Sequence, residues 1–203
     1  MLSRGFSLIE VLASLLILGL GLLGILALAA QGQQSYVESA QRSEAVRYAE
    51  DMADRIRANG GLAANPGLIA FYVDPAGSAT PDELGDGSEY ADIFGASPSG
   101  VNCIQASTGS GCSTTQMALF DRAWWDGLLA GQITELGLVS PVGCISRVAG
   151  AVPRVRITIA WQGMSETADS AGAGAIFAGM SCGDTTFGTQ VASRRMVSLE
   201  VAL

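Results

Sequence analysis

The chain has 203 residues, of which 19 are acidic and 11 are basic, so its formal net charge at pH 7 is −8. All of the basic residues are Arg, and the chain has no His. The acidic balance argues against a nucleic-acid-binding protein, which needs a clustered basic surface, and no nucleic acid is expected as a partner. The lack of His excludes a Ser-His-Asp or Cys-His catalytic site.

A short basic leader, Met1 to Gly5, precedes an apolar run of membrane length. Phe6 follows the leader, the next four residues read Ser-Leu-Ile-Glu, and Val11 to Ala30 contain no charged side chain. A helix of twenty residues spans about 30 Å, which is the thickness of the hydrocarbon layer of a bilayer. The run therefore predicts a transmembrane helix, and Arg4 is expected to keep its N-terminal end in the cytoplasm.

Glu10 stands at the start of this run. A carboxylate within a membrane helix costs about 2.5–3.5 kcal/mol on insertion scales, so Glu10 should face a partner and not lipid. A secretory signal peptide is the alternative for this segment, with Leu26 to Ala30 as a loosely suitable cleavage site. That alternative leaves Glu10 without a role.

The sequence Gly-Phe-Ser-Leu-Ile-Glu with the uncharged run behind it resembles the N-terminus of type IV prepilins. The resemblance implies that a prepilin peptidase cuts between Gly5 and Phe6 and that the new N-terminal Phe6 is N-methylated. It also implies that Glu10 attracts the N-terminal amine of a neighbouring subunit. The expected regions are a leader (1–5), a transmembrane half-helix (6–30) and a periplasmic or extracellular pilin domain (31–203).

The segment from Gln31 to Asn59 is predicted to continue the helix, and Asn59 followed by two glycines predicts its end. Apolar residues recur at spacings of three and four, as expected for one stripe that packs on a sheet: Ala45, Tyr48, Ala49, Met52, Ala53 and Ile56. The end of this helix, Ala49 to Asn59, resembles that of PilV-type minor pilins, the type IV pilus modification proteins. In that family the pattern Ala-Glu-x-Met-Ala-Asp-x-x-Arg-Ala-Asn is common.

Residues 60–112 show little periodicity apart from Leu68 to Val73. Five acids between positions 82 and 92 predict a solvated acidic loop. The sharper alternative is a calcium-binding or partner-docking loop, although the spacing does not match an EF-hand.

Four cysteines lie on the exported side of the predicted membrane helix, and an even number in an oxidising compartment predicts two disulfides. Three pairings are possible. We favour Cys103–Cys112 with Cys144–Cys182, because each bond is then local to its part of the chain. A zinc site is disfavoured, since the chain has no His and no CxxC spacing.

A second helix is predicted from Thr115 to Gln132, capped by Ser113 or Thr114. It contains adjacent tryptophans, which point about 100° apart on a helix. We expect Trp124 in the core. Trp125 is expected to be a subunit contact or a partly buried packing residue.

The C-terminal part is predicted to be β. Gly143 to Val148, Arg154 to Trp161 and Met196 to Leu203 are the candidate strands, and the last two alternate apolar and polar residues. Period-two alternation with one polar face predicts a half-buried antiparallel sheet. A glycine-rich excursion, Gly163 to Gln190, separates the last two strands.

The expected architecture is an α+β pilin fold, in which a long N-terminal helix packs on a small antiparallel sheet. No catalytic residue, metal ligand or cofactor site is predicted. The resemblance implies a minor pilin of the type IV pilus that helps to prime assembly and sits at or near the tip. It would wait in the inner membrane before reaching the cell surface.

The partners that the resemblance implies are other minor pilins and the major pilin, through the N-terminal helices, together with prepilin peptidase and the inner membrane. A minor pseudopilin of type II secretion is an alternative. An adhesive or calcium-binding module displayed on a pilin anchor is another.

Overall fold

The computed structural model describes residues 7–59, 66–73, 82–96, 100–104, 111–134, 137–150, 152–166, 177, 180–188 and 191–202. The predicted cleavage site, Gly5 and Phe6, and the glycines that were expected to end the first helix lie outside these residues. The elements are α1 (Leu8–Ala58), α2 (Ile69–Tyr72), α3 (Ser88–Phe94), α4 (Thr114–Leu129), β1 (Val139–Val148), β2 (Arg154–Gln162), α5 (Asp184–Phe187) and β3 (Arg194–Ala202).

Helix α1 runs through two units of the chain, residues 1–40 and residues 41–203. In the first unit, residues 7–37 are all exposed. In the second unit, one stripe of the helix is buried. It contains Gln41, which was not predicted, and the residues predicted from the sequence: Ala45, Tyr48, Ala49, Met52, Ala53 and Ile56. The heptad-like spacing therefore identifies the face that enters the core.

The three strands form one antiparallel sheet in the order β1-β2-β3. Ile157 in the central strand is opposite Ile145 on one side and Leu199 on the other. Val155, Ile157, Ile159 and Trp161 are buried in the same cluster as the stripe of α1. The predicted mixed α+β class, with a long helix packed on a small antiparallel sheet, is confirmed.

The opposite face of the sheet is less polar than the alternation predicts. Thr158 and Ala160 are buried there. A second apolar cluster covers this part of the face, and its members are Val142, Cys144, Ala160, Cys182, Phe187 and Met196. The reason is that the excursion after β2 returns α5 and Cys182 to the sheet, where Cys182 is bonded to Cys144.

Both disulfides join the cysteines that the sequence analysis pairs. The Cα atoms are 5.8 Å apart in Cys103–Cys112 and also in Cys144–Cys182. The first bond closes a short loop just before helix α4, and the second fixes the excursion to β1.

Helix α4 is capped as predicted, by Ser113, whose hydroxyl accepts a hydrogen bond from the Gln116 amide while the Gln116 side chain accepts one from the Ser113 amide.

The expected roles of the two tryptophans are wrong. Trp125 is completely buried and its indole nitrogen donates to the Tyr48 carbonyl oxygen at 3.0 Å, whereas Trp124 is half-buried.

The tryptophans differ from the prediction because of helix α3, which was not predicted from the sequence. Because α3 packs on one side of α4 and the main core lies on another, α4 needs two apolar faces. Phe120 and Ala123 turn toward Ile93 of α3, with Trp124 beside them. The other face carries Trp125 into the main core.

Candidate assembly site on the N-terminal helix

The start of α1 is ordered by its own backbone. The carbonyl oxygen of Ser7 accepts hydrogen bonds from the amides of Glu10 at 3.0 Å and Val11 at 3.3 Å. Glu10 therefore lies in the first helical turn, where a carboxylate interacts favourably with the helix dipole. Its side chain is exposed and accessible to a group from outside the chain.

The following helical surface is apolar on all sides. The large apolar residues from Leu8 to Leu28 have exposed fractions between 47% and 77%. Removing one Leu or Ile side chain from water is favourable by about 1.5–3 kcal/mol of free energy, so this surface has a strong tendency to enter lipid or to pack on other helices. Among the described residues, α1 is the one helix long and apolar enough to cross a membrane.

The polar group within the run is satisfied locally. The Ser14 hydroxyl donates to the carbonyl oxygen of Val11 at 2.9 Å. A hydroxyl bonded to its own helix does not need a partner in the hydrocarbon layer. Glu10 is consequently the polar side chain of this segment that would need a partner from outside the chain in a hydrocarbon layer.

Three glycines of the run have no packing role inside the chain. A Cβ atom built on Gly19, Gly21 or Gly24 would meet nothing within 4 Å. Small residues on a membrane helix allow a neighbouring helix backbone to approach closely. The surface is thus suited to contact with other helices.

The far end of α1 is held in the core by polar contacts as well as apolar ones. Tyr72 donates to the carboxylate of Asp121 at 2.8 Å, and Asn59 donates to the Tyr72 hydroxyl at 2.9 Å. Arg55 adds a charged hydrogen bond to Asp121 at 3.4 Å. Burial raises the pKa of Asp121 and that of Tyr72 above their ordinary values. The C-terminal end of α1 is in this way fixed to α2 and α4.

The acidic stretch from 82 to 92 is not the simple solvated loop that its composition predicts. Arg122 of α4, 8% exposed, pairs with the carboxylates of both Asp82 and Glu89. Burial of a charge is costly unless partners compensate, and these two acids supply the compensation. They raise the pKa of Arg122, overcoming the desolvation that lowers it.

Two further acids order the same stretch. Asp126 is fully buried and accepts hydrogen bonds from the amides of Gly85 at 2.6 Å, Gly87 at 3.2 Å and Tyr90 at 3.1 Å. Glu83 accepts from the amides of Thr185 and Thr186 at 2.9 and 3.0 Å. Across the described ranges, no group of three or more His, Cys, Asp or Glu side chains is arranged to hold a metal ion.

This arrangement was not predicted from the sequence, although one signal was present. Arg122 is the single cation between Arg57 and Arg147, a stretch that contains nine acids. A lone Arg among so many carboxylates, on a predicted helix with a large apolar face, favours a buried ion pair over a free surface charge.

The N-terminal residues match a known family model. Residues 1–26 match the prokaryotic N-terminal methylation motif, and the match includes Gly5, Phe6 and Glu10. No curated protein and no solved structure matches the chain. The motif indicates a structural subunit that is processed by another enzyme. The match supports a type IV pilin-like N-terminus, of the kind that prepilin peptidase processes in pilins and pseudopilins.

Proposed function

We propose that the chain is a minor pilin of the type IV pilus, of the PilV type, which helps to prime pilus assembly and sits at or near the tip. The observation that carries this proposal is the union of a methylation motif with an exposed, uncharged helical surface on one unbroken helix, α1. The resemblance of Ala49 to Asn59 to PilV-type helix ends favours a minor pilin.

The chain's own residues supply the steps of incorporation. Cleavage after Gly5 removes Arg4 and leaves Phe6 with a free amine, so the mature side chains comprise ten Arg and nineteen acids, a balance of 10 − 19 = −9. The carboxylate of Glu10 then attracts the amine of a neighbouring subunit within the apolar layer, where a charge pair is much stronger than in water. The apolar surface and its glycines pack on the neighbouring helices.

The proposed location follows from the same residues. The apolar segment fits anchoring in the inner membrane, with a cytoplasmic N-terminus and residues 31–203 in the periplasm. Assembly would move the segment from lipid into the helical core of the fibre, because both environments cover apolar side chains. The domain would then lie at the cell surface.

Mass spectrometry of the mature N-terminus tests the proposal directly. Pili sheared from cells and purified are expected to contain this chain, beginning with N-methylated Phe6. A chain that keeps its leader, or one cut near Ala30, would contradict the proposal. Absence from pili despite correct processing would reject the pilus assignment alone.

A minor pseudopilin of type II secretion has the same N-terminus, so a second measurement is needed. Deleting the gene should abolish twitching motility and leave protein secretion intact. The reverse result would assign the chain to secretion.

A further inference from the structure

A groove of about 590 Å³ lies beside helices α2, α3 and α4. Its floor contains the buried side chains of Ile93 and Ala123. Three large apolar residues from separate segments line it while exposed to solvent: Phe71 at 38%, Val101 at 43% and Leu119 at 49%. Exposed apolar side chains gathered around a concave surface are a mark of a binding site.

The groove is also acidic. Among the described residues that line it, Asp82, Glu89 and Asp92 are acidic and Arg122 is the one cation, so these four side chains carry a formal charge of 1 − 3 = −2. Arg122 already engages Asp82 and Glu89. Burial raises the pKa of Glu89, and its contacts with Arg122 only partly oppose that effect. An additional cation would relieve the excess negative charge at this end of the groove.

We propose that this groove docks an apolar segment bearing Lys or Arg from a different subunit of the same fibre. This inference rests on the proposed function, because that function places the chain among other pilin subunits. Apolar side chains of the segment cover Phe71, Val101 and Leu119, and its cation faces Asp92. The volume lies within the range of about 300–1,000 Å³ that is common for ligand pockets, which leaves room for a few side chains.

A second copy of this chain is a poor occupant. Its mature side chains carry an excess of nine acids. Three cations on its helix α1 are already paired with acids one turn away: Arg47 with Glu44, Arg55 with Asp51, and Arg57 with Asp54. Acidic surfaces placed against an acidic groove repel each other, so charge complementarity selects a basic neighbour.

Photo-crosslinking in cells tests the proposal on the full chain. p-Benzoylphenylalanine replaces Leu119 in one variant and Val101 in a second, so that a fold defect at one position does not decide the result. A third variant carries the probe at Met164, which is 58% exposed and does not line the groove. After irradiation of cells that assemble pili, mass spectrometry identifies the crosslinked peptides.

The groove probes are expected to capture one other pilin subunit, through a peptide in which Lys or Arg stands among apolar residues. The Met164 probe should not capture that peptide. Asp92→Lys should lower the crosslinking yield at Leu119 by roughly tenfold, because it places like charges together. Glu166→Lys makes the same change in net charge at an exposed position outside the groove and should leave the yield unchanged.

Capture of a second copy, or of a peptide without a basic residue, would overturn the inference. So would a yield that is insensitive to Asp92→Lys, or no capture by either groove probe in cells whose pili contain the processed chain. That last result would leave the proposed function standing. If the chain is absent from pili but the groove probes capture a pseudopilin through a basic peptide, the pilus assignment fails and the groove inference survives for that other assembly.

Discussion

Glu10 is a carboxylate at the start of an apolar helix, and its position offsets only part of the cost of entering hydrocarbon. Its carboxylate sits in the first turn of α1, before twenty residues without a charge, and it is exposed. The favourable position near the helix N-terminus contributes about 0.3–1 kcal/mol, which is less than the cost of placing a carboxylate in hydrocarbon. An amine from a neighbouring subunit would offset the remainder.

Replacing Glu10 therefore separates processing from assembly. Glu10→Ala is expected to be cleaved after Gly5 nearly as well as the wild type, but to enter sheared pili at a level about tenfold or more lower, since one partner of a desolvated charge pair is lost. Immunoblots of membranes and of sheared pili measure both quantities. Glu50→Ala, an exposed acid farther along the same helix, is the control and should assemble normally. Normal assembly of Glu10→Ala would show that the acid has no docking role.

Asp121 is a residue whose charge state affects the folded domain. Burial raises its pKa above the ordinary value of 3.8, so the native state holds this proton more tightly than the unfolded chain does. The contribution of this group to the free energy of unfolding is therefore largest below pH 3.8 and is lost as pH rises through the raised native pKa.

Asp121→Asn removes that titration. The difference in unfolding free energy, wild type minus variant, should fall as pH rises through this window and become constant above it. Denaturation of the full chains in detergent at a series of pH values measures the difference. A difference that is constant throughout, or that rises with pH, would contradict the assignment.

At the scale of elements, the fit between β1 and α4 depends on one glycine. A Cβ on Gly143 would lie 2.3 Å from the ring of Trp125, which no relaxed structure tolerates. The Trp125 ring is fully buried and its nitrogen donates a hydrogen bond to the Tyr48 carbonyl oxygen, so the ring has little freedom to move. Close packing of this kind requires a small residue in the strand.

Gly143→Ala is accordingly expected to lower the free energy of unfolding by about 1–3 kcal/mol through overpacking. Gly150→Ala is a matched control, because its Cβ would meet the end of the flexible Arg154 side chain at 3.3 Å and would otherwise make an ordinary van der Waals contact with the Val152 carbonyl oxygen at 3.8 Å. Chemical denaturation of both variants measures the effect. Equal stabilities would mean that the core accommodates the methyl group by repacking around Trp125.

The elements also show how far sequence reasoning reaches. The stripe of α1 and the alternation in β2 were predictable, since each is a periodic pattern set by one buried face. Helix α3 was not, because its seven residues are held by contacts distant in sequence. The amide of Tyr90 within the helix, and those of Gly85 and Gly87 just before it, donate hydrogen bonds to Asp126 of α4. The environments of Trp124 and Trp125 depend on α3, so the roles predicted for them without α3 were wrong. For the assembly site, the motif and the apolar run were readable directly, whereas the acidic groove required the tertiary structure.

At the scale of the whole molecule, the division of the chain matters for its stability. All of the residues from 7 to 37 are exposed, and the buried stripe of α1 begins at Gln41. The described core residues all lie between Ala45 and Val201, outside the apolar segment. A fragment of residues 31–203 is expected to be monomeric in buffer and to unfold at the same denaturant concentration as the full chain in detergent. An unfolded or much less stable fragment would show that the N-terminal segment supports the core.

The glycines of the apolar run have a consequence for how this protein's evolution and its variants are interpreted. A Cβ atom at Gly19, Gly21 or Gly24 would meet no side chain or neighbouring element of the described chain, so packing within the subunit does not require glycine there. A packing constraint on these positions would come from lipid or from neighbouring helices. In the proposed assembly, changes there would leave the packing within the subunit intact and alter its contacts with neighbouring helices, so these three positions would report on the geometry of the assembly.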